Sequence, residues 1–185
     1  GRIWDVETGK QLLVLTGHEN LVGEIAFSPD GKWYASAGWH DRTVRVWSGK
    51  TGEQTAVLQG HQGDVTAVQF SPDGTRLVSI EDYPSYRLRL WDVATGRLLG
   101  VLKGHSNVIN DFAFSPDGSR VAFIAQRDDD KAAQIYTIAM DGGEATRVTQ
   151  WPTGVGQVKW SPDGQSLYFV ARAWSDLTST SEQAK

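Results

Sequence analysis

Short runs of apolar, β-branched and aromatic residues recur along the chain, each cut off by Gly, Pro, Asp or Thr. In the first full cycle they are Leu21–Phe27, Lys32–Ala37, Thr43–Trp47 and Gln54–Leu58. Apolar and polar positions alternate over part of each run, the period-2 mark of a strand with one buried face. No stretch carries a 3.6-residue stripe. The pattern therefore predicts four strands per cycle and almost no helix.

The punctuation is as regular as the strands. The string Ser-Pro-Asp-Gly begins at Ser28, Ser71, Ser115 and Ser161, at spacings of 43, 44 and 46 residues. Pro presets φ for the second turn position, Asp suits the third, and Gly relaxes the exit. An aromatic precedes each string (Phe27, Phe70, Phe114, Trp160), and nine residues earlier stand His18, His61, His105 and Trp151. A further series runs Trp4, Trp47, Trp91, Tyr136. Glu7-Thr8-Gly9, Lys50-Thr51-Gly52, Ala94-Thr95-Gly96 and Asp141-Gly142-Gly143 mark tight hairpins between the third and fourth strands of each cycle. A four-stranded unit of this size cannot bury both faces alone. Radial stacking into a β-propeller buries them.

Composition narrows the chemistry. The 185 residues are 39% hydrophobic, with 8 Trp, 5 Tyr and 6 Phe, enough to pack a core. There is no Cys, which excludes a disulfide scaffold and a thiolate metal site. A formal charge of −4 argues against a nucleic-acid binder, whose affinity comes from clustered cations. No apolar run reaches the roughly 18 residues of a membrane span. The compartment is not legible; the Cys-free, signal-free sequence suits the cytoplasm.

The Gly-His pairs (Gly17-His18, Gly60-His61, Gly104-His105) and the Trp-Asp pairs (Trp4-Asp5, Trp91-Asp92, with Trp47-Ser48 as a variant) resemble the WD40 family. The resemblance implies a buried His, Ser/Thr, Asp and Trp tetrad in each blade. In the first blade this maps to His18, Ser36, Asp41 and Trp47. In the second it maps to His61, Ser79 and Trp91, with Ser85 where Asp is expected, so that blade should be less well braced. In the third and fourth units Phe123 and Phe169 replace Ser, and Tyr136 replaces Trp. The stretches Phe114–Thr149 and Trp160–Ala171 resemble the TolB-type repeat, which also builds the gating propellers of prolyl-oligopeptidase-like enzymes.

The expected organisation is an all-β propeller with four blade equivalents: a half-blade over 1–17, blades over 18–60, 61–104 and 105–150, and a half-blade over 151–173. A polar tail, 174–185, is expected to be disordered. The two half-blades together make one whole blade. Pairing within one chain gives a four-bladed ring, and reciprocal pairing gives an eight-bladed homodimer. The dimer is the expectation; the four-bladed monomer and a fragment of a longer chain are the alternatives.

No nucleophile elbow or metal-binding His-Glu-x-x-His motif is present. No catalytic, cofactor or metal residues are expected, and neither nucleic acid nor membrane as partner. Arg127-Asp128-Asp129-Asp130-Lys131 reads as a solvated loop rather than a hard-cation site. The loops between second and third strands, and those joining blades, should share one end of the ring. They contain Trp39, His40, Tyr83, Tyr86, Arg127 and Trp174, the candidate face for an unidentified protein or peptide. The expected role is a non-catalytic interaction or scaffold module. Alternatives are a propeller fragment or engineered assembly with no native ligand, and the gating propeller of a serine-peptidase-like enzyme.

Overall fold

A computed structural model describes residues 1–102, 108–127, 129–141 and 143–171. The described residues hold sixteen strands and no helix. Chain contacts divide them into two compact units, Gly1–Lys103 and Gly104–Lys185.

The first unit contains β1 (Arg2–Trp4) and β2 (Gln11–Val14), paired as a two-stranded sheet. Two four-stranded antiparallel sheets follow. One is β3 (Val22–Phe27), β4 (Trp33–Gly38), β5 (Val44–Ser48) and β6 (Gln54–Leu58). The other is β7 (Val65–Phe70), β8 (Arg76–Glu81), β9 (Leu88–Asp92) and β10 (Leu98–Leu102). The second unit has the sheet β11 (Asp111–Phe114), β12 (Arg120–Ala125), β13 (Gln134–Ala139) and β14 (Thr146–Arg147). It ends with the pair β15 (Val155–Trp160) and β16 (Leu167–Ala171). Each four-stranded sheet meanders in chain order, as a propeller blade does.

The Ser-Pro-Asp-Gly turn builds the same joint four times. Ser28 Oγ donates to Asp30 Oδ1 at 2.7 Å and accepts from Trp33 N at 3.0 Å, while the Asp30 carboxylate accepts from Lys32 N. Ser71, Ser115 and Ser161 repeat the Ser-to-Asp bond, and all four serines are buried. The turn glycines lie at φ between 69 and 71°, a region that disfavours any side chain.

Burial follows the alternation. In the first unit Ala35, Ala37, Val44, Val46 and Leu58 pack with Val65, Val68, Phe70, Leu77 and Trp91 between the two blades. Ile3, Leu13 and Leu15 of the β1–β2 segment pack on Tyr34 and Trp47, while Trp4, Leu12 and Val14 are exposed on its other face. In the second unit Val155, Val158, Leu167, Phe169 and Ala171 pack on Ala122, Ile124 and Ile135, leaving Tyr168 and Val170 exposed. Carboxylates clip neighbouring sheets inside each unit: Glu24 accepts from Val68 N and Asp111 from Val158 N, both at 2.9 Å.

The third blade departs from the aromatic series. Trp47 pairs with Tyr34 and Trp91 with Leu77, each six residues after its turn serine. The residue in that register in the third blade is Ile138, opposite Val121. Tyr136 lies two positions earlier, opposite Phe123, and the two rings stack at 5.8 Å. It does not take the place of the Trp.

Candidate recognition site

The loops are held by polar networks, one per blade. In the first, His18 Nε2 meets Ser36 Oγ at 2.7 Å, His18 Nδ1 meets Asp41 Oδ2 at 2.6 Å, and Trp47 Nε1 donates to Ser36 Oγ at 2.8 Å. Gly38 makes the space: a Cβ there would lie 2.0 Å from Asp41 Oδ1. Burial alone would raise the Asp41 carboxyl. Its bonds to His18 and Thr43 outweigh that and hold it below the usual carboxylate range.

The second blade keeps His61 Nε2 to Ser79 Oγ and Trp91 Nε1 to Ser79 Oγ, both at 2.8 Å. Its missing Asp is replaced from another element. Glu81, at the strand position equivalent to Gly38, carries the carboxylate. It accepts from Gln62 N (2.9 Å), Ser85 Oγ (2.5 Å) and Arg89 Nε (3.2 Å). Burial raises the Glu81 carboxyl, but these donors bring it down below its ordinary value. The brace is thus re-routed rather than simply lost. One atom is left over: His61 Nδ1 is buried, and its approach to the Arg42 backbone falls short of hydrogen-bond geometry. Burial foremost, then the Arg89 charge, push the His61 pKa down to about 4, so the ring is neutral at pH 7.

In the third blade Asp130 does this work. Its side chain is 2% exposed, not a solvated loop carboxylate. It accepts from Tyr136 Oη (2.5 Å), Arg147 Nη1 (2.9 Å) and Arg127 N (3.2 Å). Desolvation and the Asp130 charge push the Tyr136 hydroxyl up to about 12.

Four candidate face residues lie on the first unit's loops. Trp39 packs over Gly23, where a Cβ would come within 2.3 Å of its Nε1. His40 N donates to Asp64 Oδ1 at 2.9 Å, and His40 Nδ1 lies 3.2 Å from Asp64 Oδ2. Asp82 N donates to Asp64 O at 2.9 Å, which ties the β8–β9 loop to the start of the second blade. Tyr83 is 74% exposed, with Tyr86 edge-on to it at 6.3 Å. Between these loops opens a cavity of about 470 Å³, lined by Arg42, Gln62, Gly63, Asp64, Asp82, Tyr83 and Pro84. His40, Arg42 and Tyr86 hold φ of 62, 57 and 45°, and they are the non-glycine residues at positive φ among those described. Arg127 belongs elsewhere: its guanidinium sits 5.2 Å over the Tyr136 ring in the second unit. Trp174, His105 and the 174–185 tail lie outside the described residues.

A profile of the TolB β-propeller domain matches residues 2–183, nearly the whole chain rather than its C-terminal third. The chain belongs to the TolB β-propeller family. It is also similar over single-repeat stretches to WD-type proteins. It is 50% identical over 44 residues to the Notchless protein homolog of Arabidopsis thaliana, 23% of this chain and 9% of that one. It is 44% identical over 43 residues to guanine nucleotide-binding protein subunit beta-5b of Danio rerio, 23% of this chain and 11% of that one. A stretch of 47 residues is 49% identical to the uncharacterized peptidase YuxL of Bacillus subtilis, 25% of this chain and 7% of that one. The matches thus span about a tenth or less of these relatives' lengths.

The repeat pattern marks the loop aromatics, but nothing in it marks Arg42, Asp82, Glu81, Arg89 or the role of Asp130. The available signal was a Glu ending the apolar run Leu77–Ile80 opposite an Arg inside Leu88–Trp91. Charges inside strand cores need partners.

Proposed function

We propose that this TolB-family propeller is a non-catalytic protein-recognition module, reading a peptide through the first unit's loop cavity. The observation that carries the reading is a cavity lined by Arg42, at strained positive φ, and exposed Tyr83, with two further positive-φ residues behind the lining: His40 on Asp64 and Tyr86 on Tyr83. Such strain persists where the surroundings enforce it, and it concentrates at ligand sites. Arg and Tyr are also the residue types that dominate binding energy at interfaces. The test is selection from a displayed random-peptide library on wild-type protein and on Arg42→Ala and Tyr83→Ala variants. A peptide class enriched by wild type and lost in both variants supports the reading. Equal enrichment by all three, or none, refutes it.

For the 185-residue chain by itself we further propose an eight-bladed ring of two copies. Sheet β15–β16 carries the first two strands of a blade and β1–β2 the last two. By the register of the complete blades, β16 of one copy would set Tyr168 opposite Ile3 of the other, as Ala35 stands opposite Val46. The exposed faces of Trp4, Leu12 and Val14, and of Tyr168 and Val170, favour such completion, since both would be covered.

A gating-propeller role is the second reading, favoured by the peptidase similarity. In that case the library selection yields no peptide class.

A further inference from the structure

The second unit has its own cavity, of about 470 Å³, on the loops after β12 and β14. Its lining includes Asp129, Asp130, Lys131, Gln134, Arg147 and Trp151. None of these was a sequence candidate for recognition, and none belongs to the first unit's loops.

The cavity is built rather than incidental. Buried Gln134 fastens its wall: Gln134 Oε1 accepts from Trp151 N at 2.8 Å and from Thr149 Oγ1 at 2.9 Å, and Gln134 Nε2 donates to Trp151 O at 2.7 Å. The Trp151 ring is held edge-on by Phe169 at 5.7 Å. Arg147 is half-exposed, with Nη1 pinned to the buried Asp130 carboxylate. Asp130 is already saturated by Tyr136, Arg127 and Arg147, so its charge is spent inside the protein. The other guanidinium donors of Arg147 make no bond to a described residue. Lys131 is exposed and likewise unpaired among the described residues.

A guanidinium anchored at one terminal nitrogen offers its remaining N–H groups to a carboxylate, with part of its rotamer entropy already lost. The Arg147–Asp130 pair is neutral as a unit, so Arg147 supplies donors and Lys131 the positive charge, and the Trp151 ring supplies an apolar wall. Asp129 on the same lining opposes a doubly charged group such as phosphate and tolerates a singly charged one. We propose that this cavity binds the acidic side chain of a partner peptide, with a neighbouring apolar side chain laid against Trp151. The proposal rests on the protein-recognition reading but uses different loops, so loss of binding at Arg42 or Tyr83 leaves it untouched.

The test is a titration of ¹⁵N-labelled chain with N-acetyl-Glu-Phe-amide, followed at the Trp151 indole and Arg147 Nε resonances. The expected result is saturable shifts in the millimolar range, at least tenfold weaker with the Gln-Phe analogue. Arg147→Gln should abolish them. Lys131→Gln, an exposed change that leaves the Asp130 network intact, should weaken them several-fold with an unaltered spectrum elsewhere. Equal binding of the Gln analogue, unchanged affinity in Lys131→Gln, absence of saturable shifts, or the same shifts from acetate or inorganic phosphate alone would each overturn it.

Discussion

Trp47 and Trp39 show how one residue type divides between core and surface. Trp47 is buried and bonded to Ser36; Trp39 lies half-open on Gly23. Trp47→Ala should therefore cost about 3–5 kcal/mol in urea unfolding, and Trp39→Ala little. Equal losses would contradict the division. Glu81 offers a sharper case. Glu81→Gln leaves Arg89 buried beside a neutral partner and should destabilise by about 3–5 kcal/mol. Adding the first-blade solution, Glu81→Gly with Ser85→Asp, should recover part of that loss. A double variant no more stable than Glu81→Gln would mean that the two carboxylate positions are not interchangeable. These exchanges also explain what the sequence hid. Reading residues at aligned positions finds a tetrad only if each blade supplies its carboxylate from the same place. A strand Glu and a loop Asp accept from the same backbone position, Gln62 N in one blade and Glu19 N in the other, though only Asp41 also reaches its histidine; the alignment shows only that Ser85 is not an acid.

The pH response belongs to the residue scale too. His61 has a folded pKa of about 4 against 6.5 unfolded, so the unfolded chain binds the extra proton between these values. Stability should fall as pH drops from about 6.5 to about 4 and level off below, on the order of 3 kcal/mol in all. The turn carboxylates act in a lower window. Asp30 and Asp117 are brought down to about 2, chiefly by the Lys32 ammonium and the Ser115 hydroxyl respectively, so their contribution is lost only between pH 4 and 2. Denaturation midpoints across pH 7 to 2 should show both steps. His61→Gln should lack the upper one; a variant that keeps it would place its origin elsewhere.

At the scale of elements, strands and turns were the legible part. The alternation and the Ser-Pro-Asp-Gly string locate β3 to β10 because local chemistry sets both: the turn serine bonds its own Asp, and apolar residues alternate into the core. The third blade was less legible. Its longer β12–β13 loop shifts the aromatic by two, so Tyr136 faces Phe123 rather than the Trp register. A period-2 strand tolerates that shift because the face is preserved. The blade register also makes the trans-pairing proposal testable. With no native Cys, an Ile3→Cys/Tyr168→Cys chain should oxidise to a covalent dimer. Purely monomeric product would speak against that register.

For the whole molecule, the family assignment covers residues 2–183, and the blades explain why. Every sheet buries one face in its own unit, and the sheets at each end keep an apolar face and a ladder edge open. Two copies completing each other's blades would cover both and present each recognition loop twice. Native mass spectrometry of the wild-type chain at micromolar concentration tests this most directly. The account predicts a species of twice the 20.3 kDa chain mass. A single-chain mass that persists as concentration rises would contradict it.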